Sequence, residues 1–264
     1  MSLVTETVTG ENYIAFSKGT DFMGQYDRTA LLIGDEGIEK LKKSRVAVFG
    51  IGGVGSFVAE ALARAGVGTI ALFDNDTVSE SNINRQLIAL HSTVGRSKTE
   101  VMAERIADIN PDIKVIANNL FYSAETADSF NPADFDYVVD AIDTVSSKLL
   151  LIERCEQTKT PIISCMGTGN HLDPSKFSIT DINKTSVCPL ARVMRLELKK
   201  RGIKKLKVLF STEQPIKTET DEKLLEEEKQ KGSSRRQIPG SISFVPSVAG
   251  LMIAGEVIRN LTER

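Results

Sequence analysis

Cysteine and histidine are scarce in this sequence. Only three cysteines and two histidines occur among 264 residues, and Cys155, Cys165 and Cys188 are too scattered for a disulfide framework. His91 and His171 share no metal-ligand spacing. Tryptophan is absent and aromatic residues make up only 6% of the chain. The basic segments consequently lack the interleaved aromatic residues on which single-stranded bases stack.

A net charge of one sign and a long apolar run are also missing. The 33 Lys and Arg residues oppose 35 Asp and Glu residues, for a net charge of −2, so nucleic-acid contact would need a local basic patch. The N-terminus, MSLVTETVTG, lacks the basic-then-apolar order of a signal peptide. Polar and charged residues interrupt the longest apolar stretch, Ile242 to Leu261. We therefore expect a cytoplasmic protein with no membrane span.

The 41% of hydrophobic residues can form a sizeable core, and their pattern predicts an α/β fold. From residue 45 onward, short β-branched runs alternate with amphipathic stretches, as in parallel strands joined by helices. We expect a Rossmann-like, doubly wound, mainly parallel sheet with flanking helices and both faces covered. The predicted strands are Arg45–Phe49, Thr69–Phe73, Lys114–Asn118, Tyr137–Ala141 and Pro161–Cys165; the predicted helices are Asp35–Lys43, Ser56–Ala65, Lys98–Asn110 and Val145–Thr158.

Beyond Cys165 the pattern changes, which predicts a smaller, separate C-terminal region. Residues 211–239 carry EEEKQKGSSRR and few aromatic or β-branched residues, as in a mobile loop. The expected division is an arm at 1–27, a nucleotide-binding domain at 28–183 and a substrate region at 184–264. After Cys165 we expect strands Lys176–Thr180 and Lys207–Phe210, a basic helix Pro189–Arg201 and a terminal helix Val248–Leu261. In the terminal helix, Gly250 and Gly255 would allow close packing against a neighbouring helix. Its predicted apolar face consists of Leu251, Ala254, Val257, Ile258 and Leu261.

The strongest motif is a glycine-rich turn between the first predicted strand and the next helix. In Gly50-Ile51-Gly52-Gly53-Val54-Gly55, Gly50 allows a tight turn, Gly52 lets a phosphate approach the backbone, and Gly55 permits close helix–strand packing. Free N–H groups at the helix start attract the anion. Asp74 ends the next strand, where it could accept a hydrogen bond from a ribose hydroxyl. These residues predict a nucleotide site, but nicotinamide dinucleotide and ATP both satisfy them.

The polar loop that follows favours ATP. DNDTVSESNINRQ and VGRSK bring Asn82, Arg85 and Lys98 toward the carboxyl ends of the strands, and a triphosphate needs such added cations and usually a metal. Asp140 and Asp143 flank the end of the fourth strand, where a carboxylate could hold Mg²⁺ against the phosphates. Further candidate nucleotide contacts are Gly53, Asp76, Ser81, Gln86 and Asp140.

These motifs, together with DAID at 140–143, resemble the ThiF/MoeB/HesA superfamily of adenylating, ubiquitin-activating-type enzymes, which includes the bacterial activators of sulfur-carrier proteins. The segments LDPSKFSITDINKTSVCPLARVMRLELKKRGIK, LFSTEQP and PGSISFVPSVAGL look like the C-terminal half of the branch that dehydrates threonylcarbamoyladenosine in tRNA. The chain departs from the sulfur-carrier activators in lacking their two Cys-x-x-Cys pairs, so a zinc site is not expected.

The resemblance implies a ThiF-like ATP-binding domain at 28–183 and a tRNA-binding region at 184–264. It implies that Asp74 binds the ribose, that Asn82, Arg85 and Lys98 hold the phosphates, and that Asp143 positions Mg²⁺. The implied reaction is adenylation of the substrate's threonine carboxylate, followed by ring closure onto its carbamoyl oxygen.

The resemblance also implies a homodimer. Arg28, in QYDRTALLIG, would enter the ATP site of the partner subunit; its alternative role is a surface salt bridge. A sulfur-transfer protein is a further candidate partner.

Several alternatives stay open. The segment Arg192–Lys207 has eight Lys and Arg residues and one acidic residue, Glu197. It would either contact RNA phosphates or form a solvated helix face. In the first case, Arg235 and Arg236 could add further contacts with the RNA. Cys188 is either a nucleophile in a polar setting or an unreactive residue at a helix start. The alternative functions are adenylation of the C-terminus of a ubiquitin-like or sulfur-carrier protein, NAD(P)-linked oxidation, and nucleotide sensing without catalysis.

Overall fold

The computed structural model of the protein describes residues 24–219, 226 and 238–264. Its centre is a seven-stranded sheet in the order β3-β2-β1-β4-β5-β7-β6, parallel except for β6, which runs antiparallel to β7. The predicted doubly wound, mainly parallel sheet is confirmed. The strands are β1 (Arg45–Phe49), β2 (Thr69–Phe73), β3 (Lys114–Asn118), β4 (Tyr137–Asp140), β5 (Ile162–Cys165), β6 (Phe177–Asp181) and β7 (Lys207–Ser211).

The helices follow the predicted order, and the largest difference lies at the first one. That helix begins at Asp27 and passes through Gly34, which adopts φ 74° and kinks it. We expected it to begin at Asp35, and the kink at Gly34 separates that predicted part from the additional residues 27–33. The bounds are α1 (Asp27–Lys43), α2 (Gly55–Ala65), α3 (Lys98–Ile109), α4 (Val145–Thr158), α5 (Pro189–Lys200) and α6 (Phe244–Thr262). Residues 1–23 of the predicted arm lie outside the described residues.

The two faces of the sheet are covered by different helices. Along β1, Val46 and Val48 join the core formed with α2, α3 and α6, whereas Ala47 and Phe49 face α4 and an aromatic cluster. This alternation follows from the two-residue period of a strand. Both faces are buried in the central strands, as expected, but the edge strand β3 is only partly covered. An edge strand has a neighbour on one side only, so less of it can be packed.

The sheet crosses the predicted boundary at residue 183. β7 pairs with β5, and Leu209 belongs to the same core cluster as Val46 and Ile253. The region after residue 183 is therefore continuous with the nucleotide-binding half. The change of pattern after Cys165 instead marks the change from parallel to antiparallel strand pairing at the β6 edge.

Helix α6 packs as a core helix. It is the one helix of the described chain that is long and apolar enough to cross a membrane by length and composition. Its residues Ala249, Ile253 and Val257 are buried, however, and a Cβ added to Gly250 would lie 2.4 Å from the Val54 carbonyl oxygen. The expected close approach at Gly250 is confirmed. The predicted apolar face was wrong at Leu251, which is 49% exposed.

An ion pair also joins α6 to the sheet. Lys207 Nζ lies 2.6 Å from Glu256 Oε1. Burial raises the pKa of Glu256, but its hydrogen bonds with Lys207, Arg259 and Asn260 outweigh that effect and lower it to about 2. Glu256 is therefore charged at neutral pH and holds α6 against β7.

Candidate active site

The glycine-rich turn lies where the order of the strands reverses, between β1 and β4. Ligands of doubly wound sheets bind in the crevice at such a point. Gly50 adopts φ 84°, and a Cβ on it would lie 2.6 Å from the Ala141 carbonyl oxygen. A Cβ on Gly55 would lie 1.8 Å from the Gly50 oxygen. Packing thus requires glycine at both positions. At Gly52 the nearest atom to such a Cβ is Gln86 Nε2, 3.7 Å away, which leaves room for a ligand.

Asp74 braces this turn from the end of β2. Its two carboxylate oxygens accept hydrogen bonds from the N–H groups of Ile51, at 2.6 Å, and Asp76, at 2.9 Å. Burial raises the pKa of Asp74, and the nearby Lys98 ammonium partly opposes that shift. Each oxygen retains a second lone pair. Asp74 is therefore placed to accept hydrogen bonds from a bound nucleotide as well.

Lys98 brings a positive charge to the first turn of α3, next to Asp74. Its side chain is 6% exposed, and its Nζ lies 2.7 Å from Asp76 Oδ2. The Lys98 N–H donates to the Asp76 carbonyl, so the polar loop between β2 and α3 closes on itself. The ion pair with Asp76 holds the buried ammonium close enough to Asp74 to affect its pKa.

A short helical turn, Glu80–Asn82, carries the next group of predicted residues. Asn82 is buried, and its Oδ1 accepts from the Ser79 N–H at 3.2 Å. Ser81 is exposed, with its hydroxyl 2.9 Å from that of Ser79. Arg85 Nη1 donates to the Ser81 carbonyl at 2.9 Å. Asn82 and Ser81 thus shape the loop that presents the Arg85 guanidinium.

Gln86 has a buried atom that suits a ligand. Its Oε1 has no hydrogen-bond partner in the part of the chain that the structure describes, although buried polar atoms are nearly always paired. The amide lies next to Gly52. Together with the anion-binding N–H groups at the start of α2 and with Lys98, this arrangement fits a phosphorylated nucleotide.

Asp140 lies at the end of β4, as expected, but its side chain is buried. It is fully buried; its Oδ1 accepts from the Ile142 N–H at 3.1 Å and its Oδ2 from the Ser164 hydroxyl at 2.5 Å. The ammonium of Lys148, also fully buried, lies 2.9 Å from Asp140 Oδ2. This burial argues against the predicted contact between Asp140 and the nucleotide. The carboxylate instead supports the backbone that faces Gly50.

Lys148 is the residue of this region that the motifs missed. Its Nζ also donates to the carbonyls of Ile142, at 3.0 Å, and Cys165, at 2.9 Å. It thereby joins the carboxyl ends of β4 and β5. The helical period could have revealed it, because Lys148 shares a face of α4 with Leu151 and Ile152, both buried.

Asp143 is the candidate metal ligand of this region. It is exposed on the loop after β4, and Thr144 Oγ1 lies 3.3 Å from its Oδ1. The described residues contain no cluster of three or more His, Cys, Asp and Glu side chains that could hold a metal by themselves. Mg²⁺, however, commonly takes one or two carboxylates and completes its shell with phosphates and water. The donor set thus fits Mg²⁺ that arrives with a nucleotide.

Within the described part of the chain, Arg28 forms no hydrogen bond with the other predicted site residues. It is exposed in the first turn of α1. Two apolar neighbours, Leu31 at 86% and Leu32 at 81% exposure, lie on the same helix. This segment before the Gly34 kink is an uncovered surface with a cation next to it.

The cysteines are buried. We expected a polar, exposed setting for Cys188, but it packs in a cluster with Met194 and Leu198. Burial raises the pKa of both Cys155 and Cys165 to about 12. The burial of Cys188 favours its interpretation as an unreactive residue.

The buried ion pair generates a stability prediction. Lys148→Met should lower the free energy of unfolding by about 3–5 kcal/mol, because it leaves the Asp140 carboxylate buried without its counter-charge. Urea titration at pH 7 measures this loss. The double variant Asp140→Asn/Lys148→Met removes both charges and should recover part of it. A single variant as stable as the natural chain would show that the pair does not hold β4 and β5 together.

Comparison with known proteins shows which family the chain resembles. The ThiF family matches residues 26–264. The tRNA threonylcarbamoyladenosine dehydratase of Bacillus subtilis strain 168 is 50% identical over 239 residues, which cover 90% of this chain and 94% of that protein. The Escherichia coli K12 molybdopterin-synthase adenylyltransferase is 39% identical over 145 residues, which cover 54% of this chain and 57% of that protein.

A solved structure has a similar fold over most of the chain. The E. coli tRNA N6-threonylcarbamoyladenosine dehydratase in complex with ATP has a TM-score of 0.80 and 34% identity, and the match covers 90% of this chain and 94% of that chain. The resemblance read from the glycine turn, the polar loop and the C-terminal motifs is thus confirmed. With its switch-point crevice and a match over nearly its whole length, this chain belongs to the ThiF family.

Proposed function

We propose that this protein catalyses the ATP-dependent dehydration of N6-threonylcarbamoyladenosine in tRNA to the cyclic oxazolone form. The observation that carries the proposal is the convergence of Asp74, the Arg85 loop and Lys98 around the glycine turn. The Bacillus subtilis dehydratase matches 90% of the chain, whereas the adenylyltransferase matches 54% of it. We place the reaction in the cytoplasm, where ATP and tRNA meet.

The chemistry requires activation of an unreactive carboxylate. Attack of the threonine carboxylate on the α-phosphorus forms an oxygen–phosphorus bond, releases pyrophosphate and gives an acyl-adenylate. The carbamoyl oxygen then attacks the acyl carbon, AMP leaves, and a nitrogen-bound proton is lost as the ring closes. Because nucleophile and electrophile belong to one substrate, the protein needs mainly to position them and to neutralise charge.

The residues divide these tasks between them. Asp74 would accept hydrogen bonds from the ribose, while Lys98 and Arg85 would neutralise phosphate charge, with Asn82 maintaining the loop. Asp143 would hold Mg²⁺, which supplies further positive charge at the phosphate oxygens. If the ligand were a nicotinamide dinucleotide, the charges of Arg85, Lys98 and Asp143 would have no assigned function.

Turnover of the Arg85 and Lys98 variants tests these roles. Arg85→Ala and Lys98→Ala should each cost about 2–4 kcal/mol of transition-state stabilisation, since each removes a cation that faces developing negative charge. The measurement is mass analysis of tRNA nucleosides for the loss of one water after incubation with ATP and Mg²⁺. Arg96→Ala is the matched control, because Arg96 lies in the same loop but pairs with Glu104.

Two outcomes would count against this proposal. Near-normal turnover of either variant would contradict its assigned role. A natural chain that leaves tRNA unchanged but adenylates the C-terminus of a carrier protein would establish the alternative function. The same assay with candidate carriers decides between them.

We assign the tRNA contact to the basic segment Arg192–Lys207. Within it, Lys200 and Arg201 pair with Glu197, and Lys207 pairs with Glu256. The remaining exposed cations, with no ion pair among the described residues, are Arg192, Lys199, Lys204 and Lys205. They are free to meet phosphates, whereas the paired cations would first have to leave their partners. Arg235 and Arg236, which we expected to assist, lie outside the described residues.

The salt dependence of tRNA binding tests this surface. Replacing Lys199, Lys204 and Lys205 together by Gln should weaken binding and flatten the dependence of log K on log salt by about 0.7–0.9 for each lost phosphate contact. Fluorescence anisotropy at several salt concentrations measures the slope. Replacing the exposed Lys43, Lys114 and Lys159 by Gln is the control, since it removes the same charge elsewhere. An unchanged slope in the first variant would move the RNA surface elsewhere.

We further propose that the protein is a homodimer in which Arg28 completes the ATP site of the partner subunit. The exposed Leu31 and Leu32 beside Arg28 support this, because a second copy would cover them and place the guanidinium across the interface. Guanidinium groups suit this task, since they remain charged and bind phosphate through two hydrogen bonds. A sulfur-transfer protein stays a candidate additional partner.

Complementation tests the shared site. Inactive Arg28→Ala chains mixed with inactive Asp143→Ala chains should recover part of the activity, because one of the two sites in a heterodimer keeps both groups. Activity is measured after subunit exchange, with heterodimers verified by differently tagged chains. No recovery in verified heterodimers would show that each site is completed within one chain.

A further inference from the structure

Asn84 joins two parts of the crevice that come from distant regions of the chain. Its Oδ1 accepts a hydrogen bond from Arg85 Nη1 at 2.9 Å. Its Nδ2 donates to the carbonyl of Ser241 at 3.0 Å, across 157 residues of sequence. One exposed amide therefore contacts both the phosphate-side arginine and residues 239–243, hereafter the bridging segment.

The bridging segment is held at its other side by the loop after β5. The Asn170 N–H donates to the Gly240 carbonyl at 2.8 Å, and the Gly240 N–H donates to Asn170 Oδ1 at 2.6 Å. A Cβ on Gly169 would lie 2.7 Å from Pro239 Cβ. This pairing fixes the segment against the carboxyl end of β5.

The loop after β5 is itself fixed by β7. Glu213, which follows β7, accepts from the N–H groups of Leu172, at 3.1 Å, and Asp173, at 3.0 Å. The Ile216 N–H donates to the Asn170 carbonyl at 2.8 Å. The chain of contacts thus runs from β7 through Asn170 and the bridging segment to Asn84 and Arg85.

We infer that Asn84 is a positioning residue that sets the Arg85 guanidinium relative to the bridging segment, which forms the acceptor-substrate side of the crevice. The substrate side of this inference rests on the proposed function. The two sides must be in register because the carboxylate reaches the α-phosphorus only if both substrates are aligned. An amide suits this position, since it offers one acceptor to the arginine and one donor to the segment.

Three variants test this inference, and the two contacts of Asn84 are those with Arg85 and Ser241. Asn84→Ala removes both of them. Asn170→Gly removes only the Oδ1 acceptor that holds Gly240, and glycine tolerates the Asn170 backbone angle, φ 62°. Asn84→Gln keeps both groups one methylene farther out and serves as the conservative variant. Thermal unfolding verifies that each variant folds.

The first readout is ATP affinity by calorimetry, which needs no tRNA. Asn84→Ala should weaken ATP binding by about fivefold, the lower end of a typical coupling between sites, because Arg85 loses an oriented contact. Asn170→Gly should leave ATP affinity unchanged, and Asn84→Gln should recover part of the loss. Equal ATP affinity in Asn84→Ala and the natural chain would overturn the inference.

The second readout is the KM for tRNA. Asn84→Ala and Asn170→Gly should each raise it, and the double variant should raise it by less than the product of the two effects, because both act through the same segment. Fully multiplicative effects would overturn the shared role of the bridging segment. A natural chain that binds ATP but does not convert tRNA would defeat the proposed function alone, since the ATP readout still decides whether Asn84 positions Arg85.

Discussion

The contact between the Gly50 turn and the Ala141 carbonyl is the constraint on which the crevice depends. It brings the ends of β1 and β4 together at the point where the strand order reverses, so the first N–H groups of α2 face outward toward an anion. The backbone at Ala141 is held in place because Asp140 and Lys148 both form hydrogen bonds with the backbone of Ile142. A buried ion pair outside the crevice thus shapes the nucleotide site.

The charged groups of the crevice are held by hydrogen bonds and ion pairs within the protein. Lys98 is held by Asp76, and Arg85 is held by Ser81 and Asn84. Groups that are already oriented cost little reorganisation when negative charge develops on a phosphate. The protein therefore uses neutral or exposed partners to hold its cations, while the deeper pair of Lys148 and Asp140 serves the backbone.

The second half of the chain serves the same crevice as the first. β7 and the loop after β5 extend the sheet edge, α6 packs against α2, and the bridging segment returns to the polar loop. The match to the adenylyltransferase covers 54% of the chain, whereas the match to the Bacillus subtilis dehydratase covers 90%. Under the proposed function, the tRNA contact lies in this second half, at the basic segment Arg192–Lys207.

The sequence by itself determined the features that depend on neighbours along the chain. Strand and helix order, the glycine turn and the position of Asp74 follow from two-residue and 3.6-residue periods and from backbone sterics, which are local properties. Only the tertiary structure decided that Asp140 pairs with Lys148, that Cys188 is buried, that the sheet continues past residue 183 and that Asn84 meets Ser241. Each of these depends on which distant segments pack together, and packing is settled by the burial of the whole core rather than by any single stretch of residues.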